Sequence, residues 1–224
     1  MILFSASFAF ILLFSFYKYS ATQIMEPAFS LENYEKAFLT HTYSYAIFNS
    51  LRIAAEVTLL AFVLGFPVAH FITQLRSVWK IVAVVLIVSP LMVSAVVTSY
   101  GWAILLSPYG TINSFLLSYG LVKEPLPLRF SEFGVVVGLL YDTIPFMILS
   151  LQASLEGLDK SMILAAKALG AKPHYVLLKI IFPLTSPGII AGSLLTFALS
   201  ASSFVAPFFL GGRIIRYLPV IIFE

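Results

Sequence analysis

The sequence predicts an all-helical protein that crosses a membrane several times, and three observations carry that reading. Of 224 residues, 60% are apolar or aromatic and 10% are charged, against roughly 45–50% and 25% in an ordinary soluble domain. Phe occurs 21 times and Tyr 11. Several apolar stretches run for about 18 residues or more with few charges or none, the length that crosses a hydrocarbon core of ~30 Å. A typical water-soluble enzyme is excluded by this composition. The formal net charge is +3, but the 13 Lys and Arg are spread between apolar segments instead of forming one patch, so nucleic acid is not an expected partner. The chain has no Cys, which excludes a disulfide framework, a thiolate metal site and a Cys nucleophile.

The first expected span is residues 2–17, an apolar run with no Lys or Arg before it. It lacks the basic opening and small-residue cleavage site of a secretory signal and leads directly into Tyr17, Lys18 and Tyr19. It reads as a membrane anchor whose cytoplasmic tail is missing or very short. Residues 18–45, with Glu26, Pro27, Glu32, Glu35 and Lys36, read as an extramembrane loop. The further spans are expected at 46–72, 81–106, 133–151 and 176–204, each long enough to cross at ~1.5 Å per residue. In the connection 108–132, Ser107, Pro108, Tyr109 and Gly110 signal a turn. The stretch 112–121 after it is too short to cross and is expected along the outer face. Pro125 and Pro127 make an extended lead into the fourth span. After a loop with Gly211, Gly212, Arg213 and Arg216, Leu218 to Phe223 turns apolar again, so the C-terminus is expected to be incomplete.

Loops 73–80 and 154–179 carry six basic residues in 34 positions, whereas loops 18–45, 108–132 and 206–224 carry six in 72. The higher density puts the first set in the cytoplasm, and with it the N-terminus. Within 154–179, Asp159 stands where an N-cap belongs and Ser161 to Leu169 is a helix-forming run that ends at Gly170. A short amphipathic helix with Lys160, Lys167 and small Ala165, Ala166 and Ala168 suits either a lipid surface or a groove on a partner protein.

Ionisable groups inside spans are functional candidates, because a charge at the bilayer centre costs about 2.5–3.5 kcal/mol on insertion scales. Asp142 lies in the fourth span beside Tyr141 and three residues before Pro145, which would loosen the helix locally. It either attracts a cationic solute, with Tyr141 as an aromatic face, or bonds to a neighbouring helix. Arg52 and Glu56, spaced i and i+4 in the second span, are expected to form an intramembrane ion pair. His70 reads as an interfacial residue, and without a second ligand at suitable spacing no metal site is expected. Tyr100 and Trp102 suit an aromatic belt or a substrate cage. Small residues Gly188, Gly192, Ser193 and Ser200 read as helix packing, while Ser202, Ser203 and Phe204 are candidate pathway lining.

The segment Gly157 to Gly188 carries a resemblance. Ala165, Ala166 and Gly170, followed by Phe182, Pro183, Pro187 and Gly188, resemble the cytoplasmic motif of permease subunits of bacterial binding-protein-dependent ABC importers. Leu164 stands where that family usually has Glu, a departure that bears on one polar contact to the ATPase and not on the helix itself. The segments NYEKAF (33–38), NSL (49–51), GFPVAHFI (65–72), SPYGTINSFLLSYGL (107–121), PFMILSLQASLEGLD (145–159), PGIIAGSLLTF (187–197) and SFVAPFFLGG (203–212) look like the branch serving polyamines, opines and related solutes. The resemblance runs from about residue 33 to 224.

It implies a type I ABC importer transmembrane domain, with a sixth span beyond the C-terminus, that forms half a translocation pathway in the bacterial inner membrane. The substrate it implies is a polyamine such as spermidine or putrescine, with opine, phosphonate, thiamine or inorganic oxyanion as alternatives. Implied partners are an ATPase dimer, a second permease (a paralogue or an identical chain), a soluble binding protein and the lipid bilayer. The cytoplasmic segment 154–175 would couple to the ATPase through Leu164, Ala165, Ala166, Lys167 and Gly170, with Pro183 beyond it. No G-x-x-x-x-G-K-[ST] phosphate loop occurs in the chain, so it is not expected to be an enzyme or to bind a cofactor. ATP and Mg are expected on the ATPase. An ion-coupled secondary transporter is the alternative class, and it would show coupling residues and an inverted repeat.

Overall fold

The computed structural model describes residues 2–18, 26–212 and 215–223, so Tyr19 and Arg213 of the loops above lie outside the described residues. The chain divides into two units, Met1–Asn49 and Ser50–Glu224.

In the first unit, α1 (Ile2–Ser15) is an apolar helix of 14 residues, about 21 Å long at ~1.5 Å per residue. A two-stranded antiparallel ribbon follows, β1 (Tyr17–Lys18) on β2 (Glu26–Phe29), with Tyr17 opposite Phe29. Then comes α2 (Glu32–Leu39). Asn33 Nδ2 donates to the carbonyls of Ser15 and Tyr17 at 3.1 and 2.8 Å, tying α2 to the end of α1. Phe16 stacks on Phe29 at 5.0 Å. Within the segment expected as a loop over 18–45, β2 and α2 form, and α3 (His41–Gln74) begins inside it.

The second unit is organised around α7 (Glu132–Glu156), a continuous helix of 25 residues that passes through Pro145 without ending. Ser131 caps its start, its hydroxyl accepting from the Gly134 N–H at 3.2 Å. Against α7 packs α11 (Ser186–Ser202). Glycines permit the approach: a Cβ at Gly188 would overlap the Ser154 side chain, and one at Gly192 would lie 2.8 Å from Met147 Sδ. One core cluster joins Ile53, Val57, Ala103, Leu106, Val135, Leu139, Leu210 and Tyr217 around the first half of α7. A second joins Phe66, Ala69, Ile72, Met147, Leu151, Leu155, Val176 and Ile181 around its second half.

Two expected spans are not straight. The segment 81–106 is α4 (Ser77–Val88), a 3₁₀ turn at Ser89–Met92, and α5 (Ala95–Leu105), with a bend of 93° between the two parts. Pro90 has no N–H to give the Leu86 carbonyl, and the Ser89 hydroxyl donates to that carbonyl instead at 2.9 Å. Val93 and Ser94 are then extended, which turns the chain. The segment 176–204 is likewise broken. It comprises α9 (Pro173–Val176), a π-helical turn at Leu177–Ile181, α10 (Phe182–Leu184) and α11, with a bend of 68°. At that bend the fully buried Thr185 hydroxyl donates to the Ile181 carbonyl at 2.8 Å. Pro187 then leaves the carbonyl of Pro183 without a helical donor.

Among the described residues, α3 and α7 are long and apolar enough to cross a membrane, or four segments are if each bent pair counts as one. The five expected spans thus resolve into two continuous helices, two bent pairs and the shorter α1.

The connection 107–131 holds α6 (Thr111–Ser118), which ends in left-handed Gly120 with φ +66°. Asn113 is fully buried and staples this connection. Its Nδ2 donates to the carbonyls of Ser107 and Leu126, and its Oδ1 accepts from the Leu126 N–H at 2.8 Å.

Candidate functional site

The segment after α7 is built by local rules. The Asp159 carboxylate accepts from the Ser161 N–H at 2.8 Å and caps α8 (Lys160–Ala168). At the other end Leu169 is the C-cap and Gly170 adopts φ +80°. The Gly170 N–H donates to Lys167 O and the Ala171 N–H to Ala166 O, both at 3.0 Å. These are the two hydrogen bonds of a Schellman motif, which needs a left-handed residue at Gly170. Ala165 is exposed, and half-buried Ala166 packs on the second core cluster. Leu164 and Lys167 line a cavity of about 610 Å³ together with His70, Thr73, Lys80 and Glu156. Ala166, Gly170, His174 and Tyr175 line a neighbouring groove of about 460 Å³. Pro183 lies in α10 and is exposed.

The side-chain hydroxyl and backbone N–H of Ser161 hold the Asp159 carboxyl below its usual value of 3.8. A lowered carboxyl pKa makes the cap fully effective above 3.8 and removes it as pH falls through the lowered value. Asp159→Ala is therefore expected to speed amide exchange in the first turn of α8 at neutral pH, whereas Asp159→Asn keeps it slow, as hydrogen exchange of that segment measures.

The residues expected along a solute pathway fall into two groups. In the first, Thr98 and Trp102 are one turn apart on α5 and meet Tyr141 and Asp142 of α7. The Trp102 and Tyr141 rings are edge-to-face at 5.7 Å, and Thr98 Oγ1 lies 3.4 Å from Asp142 Oδ1. A cleft of about 260 Å³ opens here, lined by Thr98, Gly101, Trp102, Leu105 and Tyr141. In the second group, Tyr100 turns its ring to Phe209, which meets Phe208, which stacks on Phe204. Phe204 also meets Phe223 at 4.8 Å. Ser202 donates to the Ala198 carbonyl at 2.8 Å and Ser203 is the C-cap of α11. Trp102 and Tyr100, two residues apart in one helix, therefore serve different aromatic groups. Thr98, Phe208 and Phe209 were not anticipated from sequence; the i, i+4 spacing of Thr98 and Trp102 is the signal that could have found the first.

Arg52 makes a two-pronged ion pair with Glu132, Nη1 to Oε1 at 2.8 Å and Nη2 to Oε2 at 2.5 Å. Arg52 thus pairs across helices, from α3 to the first residue of α7, while its charge also acts on Glu56, the partner expected at i+4. Glu132 acts electrostatically on Glu56 as well, so the three charged groups form one cluster. At the opposite end of α7, Lys80 Nζ bonds Glu156 Oε1 at 2.8 Å, and Gln152 Nε2 donates to the same oxygen at 2.7 Å. Each end of the central helix is therefore tied by charge to another helix. Glutamates that bound an apolar segment are the sequence signal for both ties, but their partners are remote in the chain.

Residues 58–222 match a family model described as the inner membrane component of binding-protein-dependent transport systems. The chain belongs to this family. The permease is 35% identical over 198 residues to the spermidine/putrescine transport system permease protein PotB of Escherichia coli (strain K12), covering 88% of this chain and 72% of that protein. It is 32% identical over 183 residues to PotB of Haemophilus influenzae, covering 82% of this chain and 64% of that protein. Among solved structures, a bacterial ABC transporter involved in the import of the acidic polysaccharide alginate superposes with a TM-score of 0.62 at 17% identity. That match covers 97% of this chain and 78% of the other, and it is a likeness of fold. The permease is thus an inner membrane subunit of an ABC importer, with the helical type I transmembrane architecture and in the branch that includes PotB.

Proposed function

We propose that the permease forms half of the translocation pathway of an ATP-driven importer for a polyamine of the spermidine or putrescine kind. The observation that carries this reading is the 35% identity to PotB across 88% of the chain. The carboxylate of Asp142 within α7 supports a cationic solute, since an unpaired carboxylate repels anions in a low-dielectric path. ATP and Mg belong to a separate pair of ATPase subunits, because the phosphate-loop motif is not in this chain.

In this reading α8 and its Gly170 turn contact the ATPase through Leu164, Ala165, Ala166 and Lys167, and Pro183 helps fix the return into the membrane. A second permease completes the pathway, and a soluble binding protein delivers solute from the outer side. Segment 154–175 and the N-terminus face the cytoplasm, as the denser basic loops suggest. ATP binding and hydrolysis shift the outward-open and inward-open states only by their differential affinity for the two.

The test is copurification of the tagged chain from mildly solubilised membranes, followed by uptake of labelled putrescine by the purified assembly in vesicles. An ATPase and a second permease in the complex, with ATP-dependent uptake, are expected. An assembly that takes up no polyamine with ATP and binding protein present overturns the substrate assignment. Uptake driven by a proton gradient without ATP overturns the importer mechanism.

A further inference from the structure

We infer that Asp142, Trp102 and Tyr141 form a subsite for a single primary ammonium group, placed halfway across the permease. The inference rests on the polyamine reading and gives that reading a location and a stoichiometry. Asp142 is ten residues beyond Glu132 on α7, hence ~15 Å along the helix axis, about half of a ~30 Å hydrocarbon core. Both glutamates at the ends of α7 hold a cation, Arg52 at one end and Lys80 at the other. Among the described residues no Lys or Arg side chain pairs with Asp142. Its contact is the Thr98 hydroxyl at 3.4 Å, longer than the 2.5–3.0 Å of a good hydroxyl hydrogen bond. A carboxylate that stays charged at this depth is stabilised by a counter-ion.

The surroundings select the kind of counter-ion. Thr98, which touches Asp142, also lines the 260 Å³ cleft with Trp102 and Tyr141. Asp142 itself stands behind Thr98 at the edge of that cleft, and rings with a carboxylate one residue away favour an alkylammonium, which has a charge for the acid and methylenes for the rings. The cleft is below the roughly 300–1,000 Å³ of pockets that engulf a whole drug-sized ligand, so it takes one aminoalkyl end. The other amine of a diamine stays outside it. At Gly101 a Cβ would meet nothing within 4 Å, so a side chain introduced there starts in open space at the cleft.

The experiment measures putrescine uptake by the intact importer in vesicles, with binding protein and ATP, for the wild type and Asp142→Asn, Asp142→Glu and Gly101→Leu. Expected is a rise in KM of about thirtyfold for Asp142→Asn, as for truncating one member of a desolvated charge pair. Asp142→Glu retains most of the affinity. Gly101→Leu raises KM although the carboxylate is intact, a result that a structural role for Asp142 would not give. An unchanged KM in both Asp142→Asn and Gly101→Leu overturns the subsite and leaves the importer reading standing. Wild-type vesicles that take up no polyamine overturn the polyamine assignment instead. The subsite is then decided by titrating the purified chain with putrescine in a Trp79→Phe background, which leaves Trp102 as its only tryptophan. A saturable change in Trp102 emission that Asp142→Asn abolishes supports it, and a flat titration overturns it.

Discussion

Replacing Gly170 with proline is expected to abolish solute-stimulated ATP hydrolysis by the assembled importer while the chain still inserts in the membrane. Gly170 has φ +80°, and proline is fixed near −65°. The substitution also deletes the N–H that donates to Lys167 O. With both lost, the chain cannot turn after Leu169, and the Ala171 N–H loses its route to Ala166 O. The last turn of α8 then unwinds beside the surface that carries Leu164 and Lys167. Gly170→Asn is the matched control, because Asn tolerates the left-handed conformation. Stimulated ATPase activity in the asparagine variant should stay within about threefold of wild type and in the proline variant fall at least about tenfold, since Pro in place of a left-handed C′ residue forfeits several kcal/mol. Ala166→Trp tests the same surface from its other side, since Ala166 lines the 460 Å³ groove beside Gly170 and a large ring there would fill it. Normal coupled turnover in both Gly170→Pro and Ala166→Trp would remove α8 from the coupling path.

The fold was legible where the signal is local. Asp159 and Gly170 mark the ends of α8 because an N-cap and a left-handed C′ residue are decided within four positions of sequence. The helical spans could be read because twenty apolar residues in a row have few other uses. The bends were not legible, although Pro90, Pro183 and Pro187 are plain in the sequence. Pro145 lies within a helix that continues, whereas Pro90 precedes a turn of 93°. What separates them is the next step of the chain: extended Val93 and Ser94 in one case, continuous packing against α11 in the other.

The candidate site was half legible for the same reason. Asp142, Tyr141 and Trp102 stand out as residue types that apolar segments rarely carry, but Thr98 looks like any other threonine. Its role depends on α5 turning one face to α7, a long-range fact. Arg52 makes the point most clearly. Sequence spacing offers Glu56 at i+4, and tertiary structure adds Glu132, eighty residues away, with both prongs of the guanidinium engaged.

That arrangement sets the second large effect. Arg52→Leu is expected to destabilise the permease by about 1–2 kcal/mol, less than the 3–5 kcal/mol for breaking a fully buried pair because both side chains are about two-fifths exposed. The loss is greater than that of an ordinary surface pair because of what remains. Without Arg52, the carboxyl groups of Glu132 and Glu56 lose the cation that acts on both, and two like charges sharing a site repel. The double variant Arg52→Leu, Glu132→Gln removes one of the two negative charges and should recover most of the loss. The coupling between the sites, read from thermal unfolding of the detergent-solubilised chain, is the difference between the double variant and the sum of the singles. Additive effects would mean that Arg52 acts through neighbours other than Glu132. A rescue by Glu132→Gln would instead establish that α3 and the start of α7 are held together by this charge pair, and that the central helix is anchored before its chain reaches Asp142.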